Sequence, residues 1–260
     1  MERKINDLSD ITFIIPVRID SIDRLENLLF TTNFLLNAFQ TNIIVWEADA
    51  RNTSLLQQLL NPNVTYIFHE DPDSVFYRTK YINTVAKTVN TPYIAVWDTD
   101  VIVQTSQIEA ALLLLRENKA DFVYPYKDVM LNVPSCVKNI FFKCQDIAIL
   151  EKLSSGFRSM YGRAIGGGFF ANKAKYIEAG MENEYFYGWG LEDGERLLRW
   201  KKLNCRIEQV EGTLFHLDHS RGENSHFHSK VQKSFKWREK FRISNLSDFL
   251  LKQEIATWHG

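Results

Sequence analysis

Two carboxylates, Asp98 and Asp100, close the apolar run Tyr93-Ile94-Ala95-Val96-Trp97. Such a run reads as a strand buried on both faces. In open α/β sheets, ligands bind just past the carboxyl ends of strands. Two hard oxygen donors at that place suit Mg²⁺ or Mn²⁺ carrying a phosphate. The motif alone is weak: fifteen aspartates give roughly one D-x-D by chance, and a second, Asp71-Pro72-Asp73, sits in a loop-like stretch.

Other residues add to the pair. Tyr185-Phe186-Tyr187-Gly188-Trp189-Gly190-Leu191-Glu192-Asp193 places four aromatics among glycines and ends in acids. Aromatic faces beside carboxylates suit a sugar, whose C–H faces stack and whose hydroxyls donate. Glu192 and Asp193 open a helix running to Trp200 and point about 100° apart, so they are free to hold different roles. The plainer reading is an acidic helix start favoured by the dipole. His216-Leu217-Asp218-His219 sets two imidazoles three residues apart beside another acid, a metal pair by type. His226 and His228 read as surface. Nine of the twelve glycines fall between Gly156 and Gly194, which points to backbone approaching a ligand or to a set of ordinary turns.

The elements that must position these groups alternate. Strands are expected over Ile11–Val17, Asn42–Trp46, Val64–Phe68 and the central run. Between them, Leu25, Leu28, Leu29, Leu36 and Phe39 recur at helical spacing after a cap at Asp23, and shorter helices span Thr53–Leu60 and Phe76–Val89. Ser106 and Glu109 have capping-box spacing for the helix after Asp100. This alternation implies an α/β fold with a parallel sheet and right-handed crossovers. Further on, Asp121–Tyr126 and Cys205–Val210 read as strands and Val137–Leu153 as a helix, with two amphipathic helices in the tail.

With 45% hydrophobic and 24% charged residues, the chain is composed like an ordinary globular protein. A net charge of −1 argues against a dedicated nucleic-acid binder. No apolar run approaches a membrane span, and Met1-Glu2-Arg3-Lys4 leads into no signal-peptide core. Cys136, Cys144 and Cys205 lack metal spacing and suit a reducing cytoplasm.

In their order, Pro16-Val17-Arg18, Phe76-Tyr77-Arg78-Thr79-Lys80, Asp98-Thr99-Asp100, Gly166-Gly167, Gly188 to Asp193 and His216-x-x-His219 resemble the β-1,4-galactosyltransferase catalytic domain. They are similar also to the family-2 glycosyltransferases of bacterial polysaccharide synthesis, including chondroitin-polymerase-like enzymes. The resemblance implies a GT-A fold, a mostly parallel central sheet flanked by helices, over residues 1–225, with a helical C-terminal extension over 226–260. It also implies a UDP-sugar donor, a saccharide or lipid-linked saccharide acceptor, Mn²⁺ or Mg²⁺, and inversion at the anomeric carbon. Carried over, Arg18, Phe76 and Arg78 line the uridine and diphosphate site, with Gly167 beside the donor. Glu47 or Asp49 reaches the base or ribose. Asp98 belongs to the donor site, and Asp100, His216 and His219 hold the metal. Trp189 closes over donor and acceptor, Glu192 and Tyr187 bind acceptor, and Asp193 is the base.

The chain departs from the family in places. Leu191 stands for a glycine, Gly194 for an acid, Asp20 for an arginine and His216 for a softer thioether ligand. Ala164, or Ile165 if the glycines are shifted by one, takes the place of a tyrosine that crowds the donor's C2 substituent, so a 2-acetamido sugar is expected; Tyr161 is near enough to restore a ring. The basic, aromatic segment Lys230–Arg242 fits a helix lying on an anionic membrane, though a helix packed on the domain is the plainer reading. Competing functions are a nucleotidyltransferase, disfavoured because no glycine-rich phosphate loop follows strand one, and a non-catalytic sugar- or nucleotide-binding protein on the same fold.

Overall fold

The computed structural model describes residues 6–258. β1 (Asn6–Val17), β2 (Phe39–Asp49), β3 (Val64–Glu70) and β4 (Tyr93–Trp97) alternate with α1 (Ile22–Ala38), α2 (Leu55–Leu59) and α3 (Arg78–Thr88). The four strands run parallel in the order β4-β1-β2-β3. Ile11, Phe13, Ile14 and Ile15 of β1 are wholly buried, as a strand covered on both faces must be. The first three strands are longer than expected. Phe39, expected on the face of α1, instead opens β2. Ser21 rather than Asp23 caps α1, its hydroxyl accepting from the Arg24 amide at 3.2 Å. Asp23 is thereby left to pair with Lys138 at 2.9 Å.

β5 (Val101–Ile102) and α4 (Thr105–Arg116) follow the central strand. The box that caps α4 is made by Gln104 and Gln107, two residues before the Ser106-Glu109 pair, because two long amides reciprocate as well as a hydroxyl and an acid. β6 (Phe122–Tyr124), β7 (Met130–Val133), α5 (Ser135–Cys144) and α6 (Ala148–Leu153) come next. The single helix expected over Val137–Leu153 is thus two, parted where Gln145 takes a left-handed backbone with φ 53°. Then come β8 (Arg158–Tyr161), β9 (Gly168–Asn172), α7 (Lys173–Glu178), α8 (Glu192–Lys202), β10 (Ile207–Gln209), β11 (Leu214–Leu217), α9 (Lys230–Asn245) and α10 (Asp248–Ile255).

Among the described residues the main sheet has the order β10-β6-β9-β4-β1-β2-β3. β9 is antiparallel to both neighbours, so the sheet is mixed rather than wholly parallel. A smaller sheet, β5-β11-β7-β8, stands beside it. Its register places His216 opposite Val101 of β5 and opposite Asn132 of β7. Ile243 of α9 and Leu251 and Ile255 of α10 pack with Leu198 and Leu203, fixing the tail on α8.

Candidate active site

The acid turn after β4 is braced by hydrogen bonds from three elements. Trp97 Nε1 donates to the Val101 carbonyl (3.1 Å), Thr31 Oγ1 of α1 to the Thr99 carbonyl (3.0 Å), and the Leu217 amide to the Asp100 carbonyl (2.7 Å). The last bond, with the pairing of β5 and β11, carries both histidines to Asp100. His219 Nε2 lies 3.0 Å from one Asp100 oxygen and His216 Nε2 3.8 Å from the other.

Asp100 is 6% exposed. Burial works against its charge, yet the two imidazoles hold its carboxyl well below the usual range. Burial lowers His216; for His219 burial is outweighed by the bond to Asp100, and its pKa rises. One donor atom from each of the three residues lies within 4.8 Å of the others. The set fits a divalent cation: a carboxylate suits Mg²⁺ or Mn²⁺, and two imidazoles move the preference toward a transition metal. Asp98 is engaged elsewhere, accepting from Arg78 Nη2 at 2.6 Å.

The cluster lines a cavity of about 440 Å³, together with Arg18, Phe76, Arg78, Asp98, Gly167, Trp189, Glu192 and Asp193. Arg18 lies over the Phe76 ring, 5.7 Å from its centre, and donates to the carbonyls of Ala48 (2.7 Å), Asp73 (2.8 Å) and Ser74 (3.1 Å). Arg18 Nη2, Arg78 Nη1 and Glu192 Oε2 are buried without a partner. Buried polar atoms in folded proteins nearly always have one, so these three residues fit a ligand rich in oxygens and hydroxyls.

The aromatic segment is shaped by its backbone. Gly188 (φ 76°), Gly190 (φ 99°) and Leu191 (φ 74°) are all left-handed, which bends the chain back before α8 begins. Lys236 of α9 holds the bend, its buried ammonium donating to the carbonyls of Gly188 (2.8 Å) and Trp189 (2.7 Å). Trp189 remains 37% exposed and meets Phe227 edge to face. At the start of α8 the two acids have different surroundings. Asp193 accepts from Arg196 at 2.7 Å, and Arg196 is anchored in turn on Glu182 at 2.9 Å. Glu192 is 8% exposed. Burial first, then the Asp193 charge, push its carboxyl up to about 7. Asp193 packs so closely on Gly166 that a Cβ there would stand 2.6 Å from its Oδ2.

Three expected site residues do not line this cavity. Glu47 is buried under Tyr66, whose hydroxyl donates to it at 2.6 Å, and burial raises its pKa. Asp49 accepts from the neighbouring Ala50 amide at 2.6 Å. Tyr187 donates to Asp73 at 2.5 Å and meets the Tyr77 ring edge to face. The second D-x-D is therefore structural, since Asp71 accepts the Tyr81 hydroxyl and Asp73 that of Tyr187. Sequence reasoning missed Arg196, Lys236 and Asn132. The i,i+3 spacing of Asp193 and Arg196 was a usable signal. Nothing local connects Lys236 or Asn132 to partners 47 and 84 residues away.

Residues 150–221 match the family model described as the N-terminal domain of galactosyltransferase. No curated protein matches the sequence. Among solved structures, the catalytic domain of Drosophila β1,4-galactosyltransferase 7, in complex with xylobiose, superposes with a TM-score of 0.55 at 16% identity, over 90% of this chain and 80% of that one. A variant of the same Drosophila protein, in complex with manganese, UDP-Gal and xylobiose, gives 0.54 at 14% identity, over 89% and 79%. The main sheet with its acid turn and the smaller sheet carrying the histidines give the chain the GT-A fold of these structures, and its segment 150–221 is similar to the galactosyltransferases.

Proposed function

We propose that the chain is a metal-dependent inverting transferase that moves a hexose or N-acetylhexosamine from a UDP-sugar to a saccharide acceptor in cell-surface glycan synthesis. One observation carries this reading: a cluster of two imidazoles and a carboxylate lines the same cavity as the Glu192–Asp193 pair. The Drosophila structures in complex with UDP-Gal, manganese and xylobiose support the choice of donor, metal and acceptor class.

Asp100, His216 and His219 would hold Mn²⁺ or Mg²⁺, which when bound neutralises charge on the diphosphate. Arg18 and Arg78 offer N–H donors to the same oxygens, on which negative charge grows as the nucleotide leaves. Asp193, held by Arg196, takes the proton of the acceptor hydroxyl while that oxygen attacks the anomeric carbon. General-base help of this kind contributes about 10²–10⁴-fold. Glu192 hydrogen-bonds the acceptor, and Trp189 covers it. Attack on the face opposite the leaving nucleotide inverts the centre.

Ala164, which lines the cavity where the resembling enzymes carry a tyrosine, supports a donor with a 2-acetamido group, whereas Tyr161 in the same wall supplies a ring that would favour the plain hexose. We place the work in the cytoplasm, consistent with three free cysteines. No helix among the described residues is long and apolar enough to cross a membrane. The acceptor in this reading is a free or a lipid-linked saccharide, and the exposed aromatics of α9 offer a peripheral contact with the bilayer in the second case.

The test is a panel of UDP-sugars with Mn²⁺, Mg²⁺ or chelator, and saccharide acceptors, read by UDP release and by the anomeric configuration of the product. Metal-dependent turnover with inversion is expected. UDP-sugar binding with no turnover for any pair would favour a lapsed, sugar-binding relative.

A further inference from the structure

Asn132 of β7 lies opposite His216 in the smaller sheet. Its Oδ1 is 2.9 Å from His216 Nδ1, and its Nδ2 donates to Asp218 Oδ1 at 3.0 Å. The other Asp218 oxygen accepts from the Ser135 hydroxyl at 3.1 Å, and the Asp218 carbonyl accepts from buried Lys138 at 2.9 Å. These bonds decide the protonation of the ring by elimination. A carboxylate only accepts, so the amide must turn its NH₂ toward Asp218 and its oxygen toward His216. An amide oxygen also only accepts, so His216 Nδ1 carries the proton. Nε2, on the far side of the ring, then presents its lone pair toward Asp100.

We infer that Asn132 is a positioning residue, committing His216 to bind a divalent cation through Nε2, and that the chain Asp218–Asn132–His216 sets how tightly this protein holds the ion. The inference rests on Asp100, His216 and His219 being the metal ligands. Outer partners of this kind fix ring orientation and raise ligand basicity, and their loss costs about 10–100-fold in metal affinity. His219 is steered differently, its Nδ1 donating to the Ser220 carbonyl at 2.7 Å. A backbone carbonyl survives any side-chain substitution, so of the two histidines only His216 takes its tautomer from a residue that can be replaced.

Two readouts test this: free Mn²⁺ by electron paramagnetic resonance, and the His216 tautomer by ¹⁵N–¹H correlation of the metal-free protein at alkaline pH. Wild type is expected to show the Nδ1–H form. Asn132→Leu is expected to populate the Nε2–H form and to bind Mn²⁺ about 10–100-fold more weakly. An Nε2–H ring in the wild type, or Mn²⁺ affinity in folded Asn132→Leu within about twofold of wild type, would overturn the inference. If Asn132→Leu does not fold, Asp218→Asn decides, because it keeps the contacts but frees the amide to flip. Mixed tautomers and weaker binding are expected there, and an unchanged ring and affinity would refute the chain. Asp100→Ala separates the two levels. If it binds Mn²⁺ as well as wild type, the metal site itself is wrong and takes this inference with it; if it alone loses the ion, only the role of Asn132 fails.

Discussion

Asp193 and Glu192 are neighbours with opposite surroundings, and the proposed roles divide accordingly. Asp193 is partly open and held by an arginine, as a group needs to be when it must meet a substrate hydroxyl. We expect Asp193→Asn to lower turnover about 10²–10⁴-fold with donor affinity nearly unchanged, as measured by steady-state kinetics and UDP titration. Near-normal turnover would mean that another carboxylate is the base. Glu192 is buried, and its folded pKa of about 7 lies above the ordinary 4.5. A carboxyl raised in this way favours the fold while protonated, and that contribution is lost as pH climbs from the unfolded value to the folded one. Glu192→Gln carries no charge to bury. Its melting temperature, relative to wild type, should therefore improve progressively between about pH 4.5 and pH 7. Parallel melting curves across that window would contradict the burial argument.

At the scale of elements, the bend before α8 is held by Lys236, whose ammonium answers two carbonyls that no strand or helix satisfies. Lys236→Met should leave both carbonyls short of a partner, at a cost of about 1–3 kcal/mol. Amide exchange over residues 186–191 should quicken and the acceptor KM should rise more than kcat falls. Exchange unchanged in that segment would show that the glycines alone set its shape. A methyl at Gly166 is a second probe: Gly166→Ala should displace Asp193 and slow turnover while metal-linked UDP binding persists.

These elements also show what the sequence carries and what it does not. The strands β1 to β4 were legible because a buried parallel strand is a continuous apolar run and each helix between them has its own period. Asp98, Asp100, Glu192, Asp193 and the two histidines stand out as candidates by type and spacing, while the role given to each comes from the resemblance. β7, β8 and β9 were not, since strands of four or five residues with polar members set no period. The long-range pairing that puts Asn132 against His216 has no local trace. Glu47 and Asp49 were placed in the site by resemblance alone, and the β2–β3 pairing turns Glu47 toward Tyr66 instead.

For the whole molecule, the tail is joined to the site rather than appended to it. Of the six basic residues between Lys230 and Arg242, Lys236 turns inward and Arg242 pairs with Glu239 and Glu254. Val231, Phe235, Trp237 and Phe241 are exposed on α9, and Phe249 and Leu250 on α10. These exposed aromatics, with Lys230, Lys233, Arg238 and Lys240 among them, motivate the proposal that α9 meets an anionic bilayer. Sedimentation with anionic vesicles, falling in Phe241→Ser and in high salt, is the expected result, and equal sedimentation with neutral vesicles would refute docking by charge.

In the proposed reaction Asp100, His216 and His219 hold the metal that serves the diphosphate, while Asp193 serves the acceptor. Calorimetric titration of UDP in the presence and absence of Mn²⁺ tests it most directly, in wild type, Asp100→Ala and Asp193→Asn. Wild type is expected to bind UDP in a Mn²⁺-dependent way, Asp100→Ala to lose that binding and Asp193→Asn to keep it. Mn²⁺-linked UDP affinity that is unchanged in Asp100→Ala would contradict this assignment.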